Sequence, residues 1–199
     1  MDVKGEEFLR RKFLHLFNNF DHDKKGFIQR EDAELQSKKL LDVLRRQLQE
    51  EGVKDTEIEK RVEEFKAKWM PGAMKYFFEM SQFAKEGGAV AKITKKDFIS
   101  FNMSIREHIA KNGALPSWFE HSLRMSFSEC WGTQDNGLLE ENGLELLPGV
   151  AKESKSFCYQ QLTDNNNSKI GVSEFLTLIQ GYYNIEDPEH NSKYIHGYQ

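Results

Sequence analysis

The chain has 199 residues, of which 38% are hydrophobic and 30% are charged, and this balance fits a globular protein rather than a disordered one. The formal net charge of -4, without a dense stripe of Lys and Arg, excludes a broadly basic nucleic-acid binder. The sequence has no run of about 18 apolar residues and so predicts no membrane span, while its acidic start and two cysteines predict a cytoplasmic protein without a signal peptide.

The first predicted helix covers residues 6–20, where Leu9, Phe13 and Leu16 recur at steps of three and four and form one apolar face. A polar break follows, and a second helix is predicted from Arg30. Because the whole chain contains only four prolines and shows this helical spacing repeatedly, we predict an all-α fold.

The third helix is predicted to open at residues 55–56 and to end at the two glycines of residues 87–88. Pro71 is predicted to kink or interrupt it, because proline removes one backbone donor. Five further helices are predicted along the remaining chain, at residues 95–111, from Pro116, from about Glu140, at residues 152–162 and at residues 173–183. The tail, residues 184–199, is predicted to be poor in helix.

Polar breaks separate these helices in a repeated helix–loop–helix pattern. One Ile or Leu recurs at the same place in each break, as Ile28, Ile93, Leu139 and Ile170. This is the spacing of the EF-hand, in which the eighth loop position is apolar and the twelfth is a metal-binding carboxylate. We therefore predict four EF-hand units in two packed pairs, with residues 1–112 and 113–199 as the two halves and short β-bridges between paired loops.

The first loop, residues 21–32, is the best match to a metal-binding EF-hand. Its predicted ligands are three carboxylates, one backbone carbonyl and one outer amide, supplied by Asp21, Asp23, Asp32, Phe27 and Gln29. Two features argue against tight binding. Lys25 has no lone pair to offer where an acceptor oxygen belongs, and Asp32 is shorter than the usual Glu, which favours Mg²⁺ relative to Ca²⁺.

The other loops have lost more ligands. The second, residues 86–97, has Gly and Val at positions three and five, and the third, residues 132–143, has Gly at positions one and twelve, so neither is predicted to bind metal. The fourth is a weaker second candidate through three residues: Asn165, Asn167 and Glu174. We therefore predict Ca²⁺ or Mg²⁺ at one or two sites at most, or no metal at all.

Three segments resemble invertebrate sarcoplasmic calcium-binding proteins, a group that includes calexcitin. They are residues 12–23, the stretch Leu-Pro-Ser-Trp at residues 115–118, and the tail at residues 191–197; Trp69 also falls at a family position. The resemblance covers nearly the whole chain and implies two EF-hand pairs packed around a shared apolar interior. The family's ligands are missing from most of the loops.

The same scaffold is similar to that of coelenterazine-binding proteins and photoproteins, which enclose an apolar ligand, and to insect juvenile hormone diol kinase. This similarity implies an interior cavity lined by aromatic side chains, with Phe17, Phe20, Trp69, Phe77, Trp118, Phe127 and Trp131 as the candidates. The competing interpretation is an ordinary core, since aromatic residues at helical spacing are mostly core residues.

The leading hypothesis is a non-enzymatic EF-hand protein with weak or lost metal binding. The alternative is a carrier or an enzyme for a small apolar ligand, and a third class is a module that binds a partner protein. The sequence has no G-x-S-x-G element or other nucleophile motif, so a catalytic role rests on the resemblance alone.

Overall fold

A computed structural model describes residues 3–128 and 137–198. The N-terminal half contains, in chain order, α1 (Val3–Phe20), β1 (Phe27–Ile28), α2 (Arg30–Glu50), α3 (Asp55–Ser81), a short 3₁₀ helix (Gly88–Val90), β2 (Ile93–Thr94) and α4 (Lys95–Asn112). The C-terminal half contains α5 (Ser117–Ser126), α6 (Glu141–Leu144), α7 (Lys155–Leu162), α8 (Val172–Asn184) and a 3₁₀ helix in the tail (Asn191–His196). Across the described ranges, no helix has a stretch that is long and apolar enough to cross a membrane.

Local sequence signals account for both boundaries of α4. α4 begins with a capping box, in which Thr94 accepts a hydrogen bond from the backbone N–H of Asp97 and the Asp97 carboxylate accepts one from that of Thr94. It ends at Gly113, whose φ of 70° is the left-handed conformation that glycine adopts without strain.

The structure differs from the sequence predictions about the helices at two places. Pro71 does not interrupt α3, which runs without a break from Asp55 to Ser81. Pro71 and the residue four positions earlier, Ala67, are both exposed, so the carbonyl that loses its partner lies on the solvent side of the helix. The tail also contains more helix than predicted, because the 3₁₀ turn over Asn191–His196 packs against the protein.

The paired loops are joined by short β-bridges, as predicted. β1 pairs antiparallel with β2, with Ile28 opposite Ile93, and an isolated bridge joins Leu139 to Ile170. These four apolar side chains are 0 to 2% exposed. The eighth loop position therefore links each helix–loop–helix unit to its partner, and the predicted all-α fold of paired units is confirmed.

One hydrophobic core joins the two halves. Phe13 on α1 packs against Tyr182 and Tyr183 on α8, with ring centroids 6.2 and 5.7 Å apart. At the edge of this core, the Lys12 ammonium donates to the backbone carbonyls of Tyr182 and Ile185. The helix that opens the chain is thus fixed to the last α-helix, around a shared interior.

The tail returns to the protein through a close approach between two glycines. Gly149 has a φ of 98°, and a Cβ placed on it would lie 2.5 Å from the backbone oxygen of His196. A Cβ on Gly197 would overlap the backbone oxygen of Gly149 in the same way. Only residues without a side chain fit at this contact.

We expect Gly149→Ala to destabilise the fold more than an alanine at another left-handed glycine. Gly52 is the matched control, because its φ is 76° and a Cβ placed on it would meet nothing within 4 Å. Gly52→Ala should lose about 1 kcal/mol of unfolding free energy through backbone strain, and Gly149→Ala at least about 2 kcal/mol more because it also clashes with backbone. Urea unfolding of both variants measures the difference, and equal losses would show that the tail does not dock as described.

Candidate functional site

The first loop holds its carboxylates through hydrogen bonds from its own backbone. The Asp21 carboxylate accepts from the backbone N–H groups of Lys25 at 3.0 Å and Gly26 at 2.9 Å. The Asp32 carboxylate accepts from the backbone N–H of Gln29 at 2.8 Å, at the start of α2. Asp21 and Asp32 are both 4% exposed, so contacts within the protein, rather than with solvent, fix the positions of their carboxylates.

The side chain of Lys25 folds back over this loop. Its Nζ lies 2.8 and 2.7 Å from the two carboxylate oxygens of Asp32 and 3.3 Å from an oxygen of Asp23. Burial opposes the charge of Lys25, but hydrogen bonds and attraction from Asp32 and Asp23 outweigh it and raise the pKa of the ammonium. Both oxygens of the carboxylate at position twelve are therefore engaged by a cation of the chain itself.

In the second and fourth loops, the ligand-type side chains are engaged elsewhere or exposed. At position twelve of the second loop, Asp97 caps α4 through Thr94, as described above. In the fourth loop, Asn165, Asn167 and Glu174 are all exposed. Position one of that loop is Thr163, whose hydroxyl donates to the backbone oxygen of Tyr159 at 2.7 Å and so is directed to the backbone.

As it stands, the first loop therefore does not fit a divalent metal, because the Lys25 ammonium lies between Asp23 and Asp32 and offers no lone pair. Within residues 3–128 and 137–198, no group of three or more His, Cys, Asp or Glu side chains has an arrangement that holds a metal ion. Residues 132–136 of the third loop lie outside these ranges.

The interior contains a cavity of about 100 Å³ between the two halves. Its wall is mostly aromatic and aliphatic, with contributions from α1, α2, α3, α5, α8 and the tail. Tyr76 is at the centre of the aromatic part, and its ring centroid lies 5.6 Å from that of Phe119 and 6.4 Å from those of Phe20 and Trp118. Such a lining suits an apolar group.

A few polar groups interrupt this apolar wall. The Trp69 Nε1–H donates to Ser37 Oγ at 3.3 Å, and the hydroxyls of Tyr76 and Tyr183 lie 3.3 Å apart. His196 Nδ1 lies 2.9 Å from the backbone oxygen of Pro148. Because a carbonyl only accepts, Nδ1 carries the proton, and the neutral ring keeps Nε2 as an acceptor.

The structure places the predicted pocket residues in different surroundings. Four of them line the cavity: Phe20, Trp69, Phe77 and Trp118. Phe17 and Phe127 lie beside it in the core, where Phe17 packs on Phe98 and Phe127 on Phe175. Trp131 lies outside the described residues.

The sequence analysis missed several residues around the cavity. Tyr76 and Phe119 each sit next to a predicted residue, so a wider helical stripe would have included them. Tyr183 and His196 carry no such signal, because they reach the cavity only when α8 and the tail pack against α1 and α3.

Comparisons with known proteins identify the fold. No protein-family model and no curated protein matches the sequence. Among solved structures, the coelenterazine-binding protein from Renilla muelleri, in its calcium-loaded apo form, is similar with a TM-score of 0.64 and 16% identity over 100% of both chains. Okadaic acid binding protein 2.1 gives a TM-score of 0.65 and 13% identity over 96% of this chain and 95% of that chain.

A sarcoplasmic calcium-binding protein from amphioxus is also similar, with a TM-score of 0.55 and 13% identity over 97% of this chain and 98% of that chain. All three have the EF-hand fold. At these identities, the likeness shows that the present chain shares the fold, as the sequence predicted.

The burial of His196 predicts a stability that depends on pH. Burial lowers the pKa of His196 to about 4 from its ordinary 6.5, and the nearby charges of His15 and Lys12 act in the same direction. His196 therefore binds a proton in the unfolded chain at pH values where it stays neutral in the folded protein. The free energy of unfolding consequently falls as the pH drops below about 6.5, and it levels off below about 4. This group alone should remove about 2 kcal/mol between about pH 7.5 and about pH 5.

Urea unfolding at the two pH values measures this loss, and His196→Gln should remove most of it. His121→Gln is the matched control, because His121 is exposed on α5 and should leave the pH dependence unchanged. An unchanged pH dependence in His196→Gln would contradict the account.

Proposed function

We propose that this EF-hand-fold chain is a protein of the sarcoplasmic calcium-binding type in which metal binding is weak or lost. The observation that carries the proposal is the contact of the Lys25 ammonium with both carboxylate oxygens of Asp32, at 2.8 and 2.7 Å. A divalent ion in the first loop needs those oxygens and must displace the ammonium first. The names of two fold neighbours mention calcium, and this supports Ca²⁺ as the ion for any remaining site. Mg²⁺ is its competitor there.

The proposal extends to the organisation and location of the chain. It treats residues 1–112 and 113–199 as two EF-hand pairs, since α4 ends at Asn112 and α5 begins beyond Gly113. It places the protein in the cytoplasm, on the composition and the two cysteines of the sequence.

Calorimetric titration of chelator-treated protein, first with Ca²⁺ and then with Mg²⁺, tests the proposal. We expect no heat at micromolar ion, and at most a response at roughly millimolar concentration, far weaker than the ~10⁻⁷–10⁻⁵ M of sensor EF-hands. If a weak response appears, Asp21→Asn should abolish it, whereas Asn165→Ala should leave it unchanged. A micromolar site in the wild type would contradict the proposal.

A second candidate function is the binding of a small apolar molecule in the interior. The cavity favours it, because an apolar wall with a few polar groups such as Tyr76 and His196 is the usual form of a small-molecule site. The names of two fold neighbours, a coelenterazine-binding and an okadaic acid binding protein, support the same interpretation of this scaffold.

The size of the cavity limits this ligand. About 100 Å³ is well below the ~300–1,000 Å³ of pockets that enclose drug-sized molecules. A compound with one ring fits the cavity with little rearrangement, whereas a larger one requires side chains to move. Met80 and the half-buried Trp118 are the wall residues best suited to move, since methionine is flexible and Trp118 has one side near solvent.

Filling the cavity tests this second function. Ala73 lines the cavity on α3, so Ala73→Phe places a ring inside it, whereas Ala67→Phe adds the same ring at an exposed position of the same helix. With the one-ring compound toluene as the probe in a calorimetric titration, we expect binding by the wild type and Ala67→Phe, and at least about tenfold weaker binding by Ala73→Phe. Equal binding by both variants would place the toluene on the surface, and no binding by the wild type would remove the support for a ligand.

A further inference from the structure

We propose that Lys25 is the resident cation of the first loop, so that its ammonium takes the place of a metal ion and the loop folds without one. This inference rests on the proposed weakness or loss of metal binding and explains how the loop keeps its fold under that condition. It adds a consequence: removing this one ammonium should turn the loop into a divalent cation site.

The position of Lys25 in the loop is the first argument. It is the fifth of the twelve loop residues, a position that supplies a ligand oxygen in calcium-binding loops. From there its Nζ reaches Asp32 at position twelve and Asp23 at position three. The ammonium thus contacts two of the three carboxylates that would surround a metal ion, Asp23 and Asp32.

Charge and burial give the second argument. The side chain of Asp32 is 5% exposed and that of Lys25 is 19% exposed, so their ion pair is shielded from water. A carboxylate this buried requires a cation or several hydrogen-bond donors. Asp32 receives one hydrogen bond from the backbone N–H of Gln29 and two from the ammonium of Lys25.

The rest of the loop is held in a closed conformation by its backbone. Asp21 accepts from two successive backbone N–H groups, Gly26 has the left-handed φ of 88° at the sharp turn, and Ile28 is paired with Ile93. Without a cation, the three carboxylates of the loop would repel one another. The ammonium is therefore the group that allows the loop to close.

Replacing Lys25 with serine is the direct test, since serine removes the charge and supplies an oxygen. In excess chelator, we expect the thermal midpoint of Lys25→Ser to fall by about 5 °C or more relative to wild type. Millimolar Ca²⁺ or Mg²⁺ should restore most of this loss, and calorimetry should detect an ion affinity at least about tenfold higher than in wild type.

Two further variants separate charge from other effects of the substitution. Lys24→Ser removes the same charge from the exposed neighbouring residue and should change neither stability nor metal response. Lys25→Met keeps the length of the side chain without charge or oxygen, and it should be destabilised in chelator and respond to metal less than Lys25→Ser. If Lys25→Ser does not fold in chelator, folding on addition of Ca²⁺ supports the proposal. Lys25→Gln, which keeps a longer side chain, then allows the same comparison of stability with and without metal.

The outcomes distinguish this inference from the proposed function. Suppose that neither the wild type nor Lys25→Ser responds to metal and that the two are equally stable. Lys25 is then not the resident cation, while the proposed loss of metal binding stands. If wild type itself binds Ca²⁺ at micromolar concentration, the proposed function fails, and the inference fails with it.

Discussion

The first loop depends on one electrostatic constraint, which is that carboxylates directed to a common point need a cation among them. An EF-hand loop normally meets this constraint with a metal ion. Here the chain meets it with the ammonium of Lys25, held at 2.7 and 2.8 Å from the oxygens of the buried Asp32. Asp32 also lies in the first turn of α2, where the helix dipole favours a negative charge, so the contact fixes the start of that helix.

This constraint extends to the interior because one loop residue and the residue that follows the loop line the cavity. Ile28 in β1 and Ala33 in α2 lie within a few positions of Asp32, and both line the cavity. In a loop that closes only when a metal ion binds, the positions of these two residues would change with the calcium concentration. With an attached cation they stay in place, so on our proposal the interior of this protein keeps its shape at the micromolar calcium concentrations to which sensor EF-hands respond.

The sequence predicted the fold well because the relevant signals are local. The helical spacing of Leu9, Phe13 and Leu16 and the recurring Ile and Leu of the loops need no tertiary information. The candidate site was harder. The sequence alone shows that Lys25 offers no lone pair at a ligand position. Its contact with Asp32 depends on how the loop closes, which the sequence does not show. Phe17 and Phe20 are three residues apart on α1, and only the packing of other helices decides that Phe20 faces the cavity.

Nuclear magnetic resonance of the Lys25 side chain tests the central claim most directly, because the ¹⁵Nζ signal of a lysine is visible only when its ammonium protons exchange slowly. We predict that the Lys25 ammonium exchanges slowly and couples to Asp32, that the exposed Lys24 gives no such signal, and that the Lys25 signal stays unchanged on addition of micromolar Ca²⁺. A Lys25 ammonium that exchanges as fast as that of Lys24, or that micromolar Ca²⁺ displaces, would contradict the account.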